Sequence, residues 1–168
     1  MTDHFERLGL PRRFNLDATE IDRQYLARSR EAHPDYFQMG GDLEQRASME
    51  VSAALNEASA VLRDPFRRAE HLLQLQGGPS ASELKDIPIA FLEEMLELRM
   101  AIEEIKASGP DSPAYLTMEK DLANRRQKLL NEVGGSFEKG DPGCMKEIRL
   151  LLNAVKYVQG LLRDLHAD

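Results

Sequence analysis

Apolar residues recur at spacings of three and four along most of the chain, and no stretch of useful length alternates apolar with polar. That periodicity predicts helices and no strands. Residues 3–9 read as a short helix ended by Gly9-Leu10-Pro11. Asp17-Ala18-Thr19-Glu20 then resembles a capping box, with Asp17 able to accept from orphan amides and Glu20 able to reach back. A helix over 18–32 follows, its inner face formed by Ile21, Tyr25, Leu26 and Ala32. Pro34 stops it, because the residue before a proline is pushed out of helical geometry. After a loop through Gly40-Gly41, a helix over 42–63 carries Leu43, Ala47, Val51, Leu55, Ala58 and Leu62. Asp64-Pro65 restarts the chain, and Phe66 to Gln76 continue as a shorter helix.

Gly77-Gly78-Pro79-Ser80-Ala81-Ser82 is the best linker in the sequence. Three helical stripes follow it. The first, near 88–107, is Phe91, Met95, Leu98, Ile102 and Ile105. The second, near 112–134, is Tyr115, Met118, Leu122, Leu129 and Val133, with a break or bend expected at Gly134-Gly135. The third, near 142–166, is Ile148, Leu151, Val155, Val158, Leu162 and Leu165. Facing stripes of this kind build a small bundle. The expectation is an all-α chain in two parts, 1–76 and 84–168, joined by a linker at 77–83.

Composition narrows the function. The 168 residues are 42% hydrophobic and 30% charged, enough for a core and for solubility. A net charge of −7 opposes general nucleic-acid binding, which needs an excess of Lys and Arg to displace counterions. No run of about 18 apolar residues predicts a membrane span. The acidic start, Thr2-Asp3-His4-Phe5-Glu6, does not read as a signal peptide. The single cysteine, Cys144, fits a reducing, cytoplasmic setting.

Catalytic and metal-binding patterns are missing. His4, His33, His71 and His166 do not pair with one another or with Cys144 at ligand spacing, so no metal and no cofactor is expected. Cys144 follows a glycine at a helix start, but no triad surrounds it. There is no phosphate-binding glycine loop, so the chain is expected to be neither an ATPase nor any other enzyme.

Two constellations remain. The first is His33-Pro34-Asp35, between two helices and directly after one that carries Arg23, Arg28 and Arg30. A tripeptide alone is weakly specific, and its simplest account is a helix end, a stop and a solvated turn. Arg23 and Arg30 lie seven apart and share a helix face. They could steer an acidic partner, or could form local pairs with Asp22 or Glu31. The second is a row at Leu92, Leu96 and Met100, spaced by four beside the core stripe, with Glu93, Glu97 and Glu104 nearby. Such a row either widens the core or forms an exposed apolar patch with an acidic surround, which marks a partner surface.

Here the chain resembles J-domain proteins: a short helix, a long helix, His-Pro-Asp in a loop, and a second long helix. Phe5-Glu6-Arg7-Leu8-Gly9-Leu10-Pro11 is similar to the way many such domains begin. The resemblance narrows to HscB, the co-chaperone family of iron–sulfur cluster assembly. Three segments carry it: Phe14-Asn15-Leu16-Asp17, Arg68 through Gly77, and Ala90 through Arg99. It implies an N-terminal J-domain and a C-terminal three-helix bundle. It also implies that His33, Pro34, Asp35, Arg23, Arg28 and Arg30 meet a DnaK-type, HscA-like chaperone and stimulate its ATPase. The acidic and apolar face of the first C-terminal helix would recruit an IscU-type iron–sulfur scaffold. Leu92, Leu96, Glu97 and Glu104 match that face, Met100 joins them by geometry, and Leu150 on the last helix extends the patch. One departure is Tyr36, where the family usually has a basic residue; it lowers the positive charge of the loop.

Overall fold

A computed structural model describes residues 2–168. Its helices are α1 (His4–Leu8), α2 (Ala18–Glu31), α3 (Asp42–Arg63), α4 (Pro65–Leu75), α5 (Ile89–Ala107), α6 (Pro113–Lys139) and α7 (Cys144–His166), with a 3-10 turn at Pro34–Phe37. The chain forms two compact units that part between Leu72 and Leu73, inside α4.

The first unit is built around Phe5, Leu8, Ile21 and Leu62, all enclosed. Asp3 caps α1 by accepting from the Glu6 amide at 3.0 Å. Gly9 ends it in left-handed geometry at φ 65°, its amide donating to the Glu6 carbonyl, while the Leu10 amide returns to that of Phe5 at 2.9 Å. Only a residue without Cβ takes that φ at no cost, which is why the helix stops there. Asp17 caps α2 through the Thr19 amide at 2.9 Å, and Glu20 pairs with Arg23 at 3.8 Å. Asp64 caps α4 through the Phe66 amide at 2.9 Å, with Pro65 in the first helical position.

Two parts of the expected core are not core. Leu26 is exposed, so the inner face of α2 rests on Ile21 with Tyr25 and Ala32 half-buried. In α3 the expected stripe is enclosed only at Leu55, Ala58 and Leu62, whereas Leu43, Ala47 and Val51 are exposed. The N-terminal half of α3 instead buries Ser48 and half-buries Gln45 and Ser52. Opposite them lies main chain at the end of α2, which offers carbonyl oxygens that need donors.

In the second unit, Met95 and Ile102 of α5, Leu122 of α6, and Val158, Leu161 and Leu165 of α7 form the core cluster. Phe91, Leu98, Ile105, Tyr115, Met118, Leu129 and Leu162 pack around it, as their stripes predict. Helices α6 and α7 run antiparallel over their whole length. The Tyr115 hydroxyl donates to the Leu165 carbonyl at 3.1 Å, and His166 meets Glu119 at 2.6 Å.

No break occurs at Gly134-Gly135: α6 continues to Lys139 and ends at Gly140, φ 63°. A glycine inside a helix costs about 1 kcal/mol against alanine. Burial of Leu130, Val133 and Ser136 along the same face offsets that cost.

The segment before α5 is tied down. Asn153 of α7 donates to the Leu84 carbonyl at 2.9 Å, and its own carbonyl oxygen accepts from the enclosed Arg149 at 3.0 Å. Among the described residues, no helix is long and apolar enough to cross a membrane.

Candidate functional site

The His33 loop begins where α2 must end. Pro34 forces His33 into extended geometry, φ −62° and ψ 133°, and starts the 3-10 turn. His33 then caps that turn with its own ring: Nδ1 accepts from the Asp35 amide at 3.2 Å. The Asp35 carboxylate lies 3.4 Å from Nδ1 and accepts from Gln38 Nε2 at 3.2 Å. The Tyr36 amide closes the turn on the His33 carbonyl at 3.0 Å, and the two rings meet edge to face. Both ends of the motif are open to solvent: side-chain exposure is 54% for His33 and 72% for Asp35. The loop thus presents an imidazole, a carboxylate and the exposed Tyr36 from a hydrogen-bonded turn.

The arginines of α2 separate into two settings. All three are exposed, and Arg23 makes only the long contact with Glu20. Arg28 lies against the backbone of Gly9 and lines a cavity of about 500 Å³ with Arg7, Glu31, Ala32, Phe37 and Val51. Asp22 is bound by Arg63 of α3 at 2.7 Å and not by an α2 arginine. Arg63 also covers the ring of Tyr25, whose hydroxyl meets Asn56. Arg63 therefore brings a further cation to the hairpin. Its position seven residues after Asn56 is the only sequence signal for it.

On α5, the row beside the core stripe faces water. Leu92 is 37% exposed, Leu96 55% and Met100 73%. Ile89, at 75%, extends the row by one turn. The sequence reading stopped short of it because it stands next to Pro88, at the helix start. Glu93, Glu97 and Glu104 are exposed on the same helix, and Leu150 of α7 is half-buried.

Glu94 is engaged elsewhere, in a two-pronged pair with Arg125 of α6 at 2.6 and 2.5 Å. That hydrogen bonding holds its carboxyl below the usual range. Arg125 also sits over the Phe91 ring at 5.6 Å. The pair fixes α5 on α6 and leaves the outer acids free of it. Among the described residues, no three His, Cys, Asp or Glu side chains gather as metal ligands.

The family described as the HSCB C-terminal oligomerisation domain matches residues 87–166. The chaperone HscB from Vibrio cholerae has 26% identity and superposes with a TM-score of 0.84, over 98% of this chain and 95% of that one. Residues 87–166 belong to that family, and the chain as a whole is similar to HscB. Its all-α fold is the HscB fold, a J-domain followed by a C-terminal helical domain. Human co-chaperone protein HscB shares that fold at 23% identity, with a TM-score of 0.82 over 98% of this chain and 81% of its own. The protein is thus an HscB-like co-chaperone.

Proposed function

We propose that the protein stimulates the ATPase of a DnaK-type, HscA-like chaperone and delivers an IscU-type iron–sulfur scaffold to it. In this reading the J-domain spans 1–76, a linker 77–83, and the scaffold-binding bundle 84–168, and the protein works in the cytoplasm without cofactor or catalytic residue of its own. The observation that carries the reading is the exposed His33-Pro34-Asp35 turn, hydrogen-bonded within itself in an HscB-like chain.

His33 and Asp35 would contact the chaperone directly, with Pro34 setting the bend. Arg23 and Arg30 would supply the steering charge, which falls off with salt. Arg28, packed on Gly9, would act by supporting the hairpin. Leu92, Leu96, Glu97, Met100, Glu104 and Leu150 would hold the scaffold. Binding both clients at once raises the effective concentration of each for the other.

Single-turnover ATPase of the cognate chaperone tests the reading. The wild-type protein is expected to accelerate hydrolysis, and His33→Gln, at an exposed position, to fold normally and lose the acceleration. Equal acceleration by both proteins would overturn the role of the motif. No acceleration by either would overturn the co-chaperone mechanism.

A further inference from the structure

The N-terminal half of α3 turns polar side chains toward the His33 loop. Ser48 donates to the Ala32 carbonyl at 2.8 Å, and Ser52 to the same oxygen at 3.2 Å. Gln45 donates through Nε2 to the Gln38 carbonyl at 3.2 Å. These residues stand three and four apart, so they share one helix face. Ala32 is the last residue before His33 and the C-cap of α2. Gln38 is the first after the 3-10 turn. The two carbonyls that α3 grips therefore bracket the motif on both sides.

Ala32 O belongs to the carbonyls that a helix C-terminus leaves without partners. Water could satisfy it, yet two hydroxyls from one neighbouring helix occupy both of its lone pairs. A doubly gripped carbonyl fixes the position of the following residue in a way that water does not. Ala47 and Val51 flank Ser48 along the cavity with Ala32 and Phe37 but stay exposed, so the enclosed contact at this end of α3 is polar.

We propose that Gln45, Ser48 and Ser52 form a clasp that positions the His33-Pro34-Asp35 loop for its chaperone. They are positioning residues and need not touch the chaperone themselves. The inference rests on the co-chaperone reading for its functional effect, but the clasp can be read out without any partner. Without it the loop visits other conformations, and apparent affinity falls with the fraction of molecules that hold the productive one.

The test uses the full chain with Ser48→Ala/Ser52→Ala, Gln45→Leu, and Ser48→Thr/Ser52→Thr, which keeps both hydroxyls. In the free protein, amide exchange at Tyr36 and Gly40 should rise about tenfold in the alanine variant, since each lost bond is worth a factor of a few. Exchange at core amides of α2 and α3 should stay as in the wild type, and the threonine variant should restore protection. In the ATPase assay, the half-stimulating concentration should rise about tenfold at unchanged maximal rate. Purely structural serines would lower the melting temperature and leave both the loop exchange and the half-stimulating concentration alone.

Unchanged exchange at Tyr36 and Gly40 in a folded alanine variant would overturn the clasp. So would changed exchange with an unchanged half-stimulating concentration. A wild-type protein that fails to stimulate sinks the co-chaperone reading and, with it, the functional role of the clasp. A wild type that stimulates beside an alanine variant that matches it sinks the clasp alone.

Discussion

Replacing Leu92 and Leu96 by serine should weaken scaffold binding by a definable amount. Fully burying a leucine that was in water is worth about 1.5–3 kcal/mol. Leu92 is 37% exposed and Leu96 55%, so the pair still has close to one whole leucine to bury on a partner. Serine at both positions should therefore raise the dissociation constant about 10- to 100-fold. The rest of both side chains is packed in the bundle, so the double variant should also lose about 1.5–3 kcal/mol of stability and is titrated at a temperature where it is still folded. Calorimetric titration of an IscU-type scaffold with both proteins at one salt concentration measures the effect. Leu116→Ser on α6 serves as the control, because Leu116 is 52% exposed but lies outside the row. It should leave the affinity unchanged. Stimulation of the chaperone without scaffold should be the same in all of these proteins. An unchanged dissociation constant in the folded double variant refutes the assignment of this face, and an equal loss in Leu116→Ser shows the effect to be unspecific.

Stability should fall on the acid side through His4 and His71. Burial lowers both ring pKa values, and for His71 the charge of His4 adds to it. Their neutral forms are favoured by folding, so their contribution is present above the unfolded value, about 6.5, and is lost as pH falls through the lower folded values. The His4 amide donates to His71 Nε2 at 3.3 Å, a bond that protonation abolishes. Thermal unfolding of the first unit between pH 7.5 and 5 should therefore slope less steeply in His71→Gln, and equal slopes would refute the link. Asn153→Ala should cost about 1–3 kcal/mol, because it removes the bonds to the Leu84 carbonyl and from the buried Arg149 Nε. Denaturant unfolding measures that loss, and limited proteolysis should show earlier cleavage near residues 80–87. No change in either would remove the tether from the account.

The helix count and most boundaries were legible because the chain punctuates them with residues that have one strong local preference. Gly9 takes positive φ, Asp17 and Asp64 cap, and Pro34 stops a helix it cannot enter. The α5 face was legible for a different reason. A stripe from Phe91 to Ile105 already met the needs of a bundle core, so the row at Leu92, Leu96 and Met100 was surplus to it. The misreadings share a cause as well. Gly134-Gly135 looked like a break because propensity is local, whereas the long seam with α7 that carries α6 through it is not. Nothing local marks Asn153 as a tether, since the carbonyl it holds lies some seventy residues earlier.

The first half of α3 makes the sharper point about function. Hydrophobic periodicity assigns Leu43, Ala47 and Val51 to the core, on the premise that a helix buries its most apolar face. That premise holds where the opposing surface is apolar, and at Leu55, Ala58 and Leu62 it does. Nearer the loop the opposing surface is backbone, and the carbonyl at the end of α2 needs a donor that an apolar face cannot supply. The helix therefore presents Ser48, Ser52 and Gln45 and leaves apolar surface in water. A pattern rule thus fails beside His33, where local structure gives up core burial to hold a turn. The motif was easy to find as a string of three residues; what orients it was hidden in side chains read as the polar side of a helix.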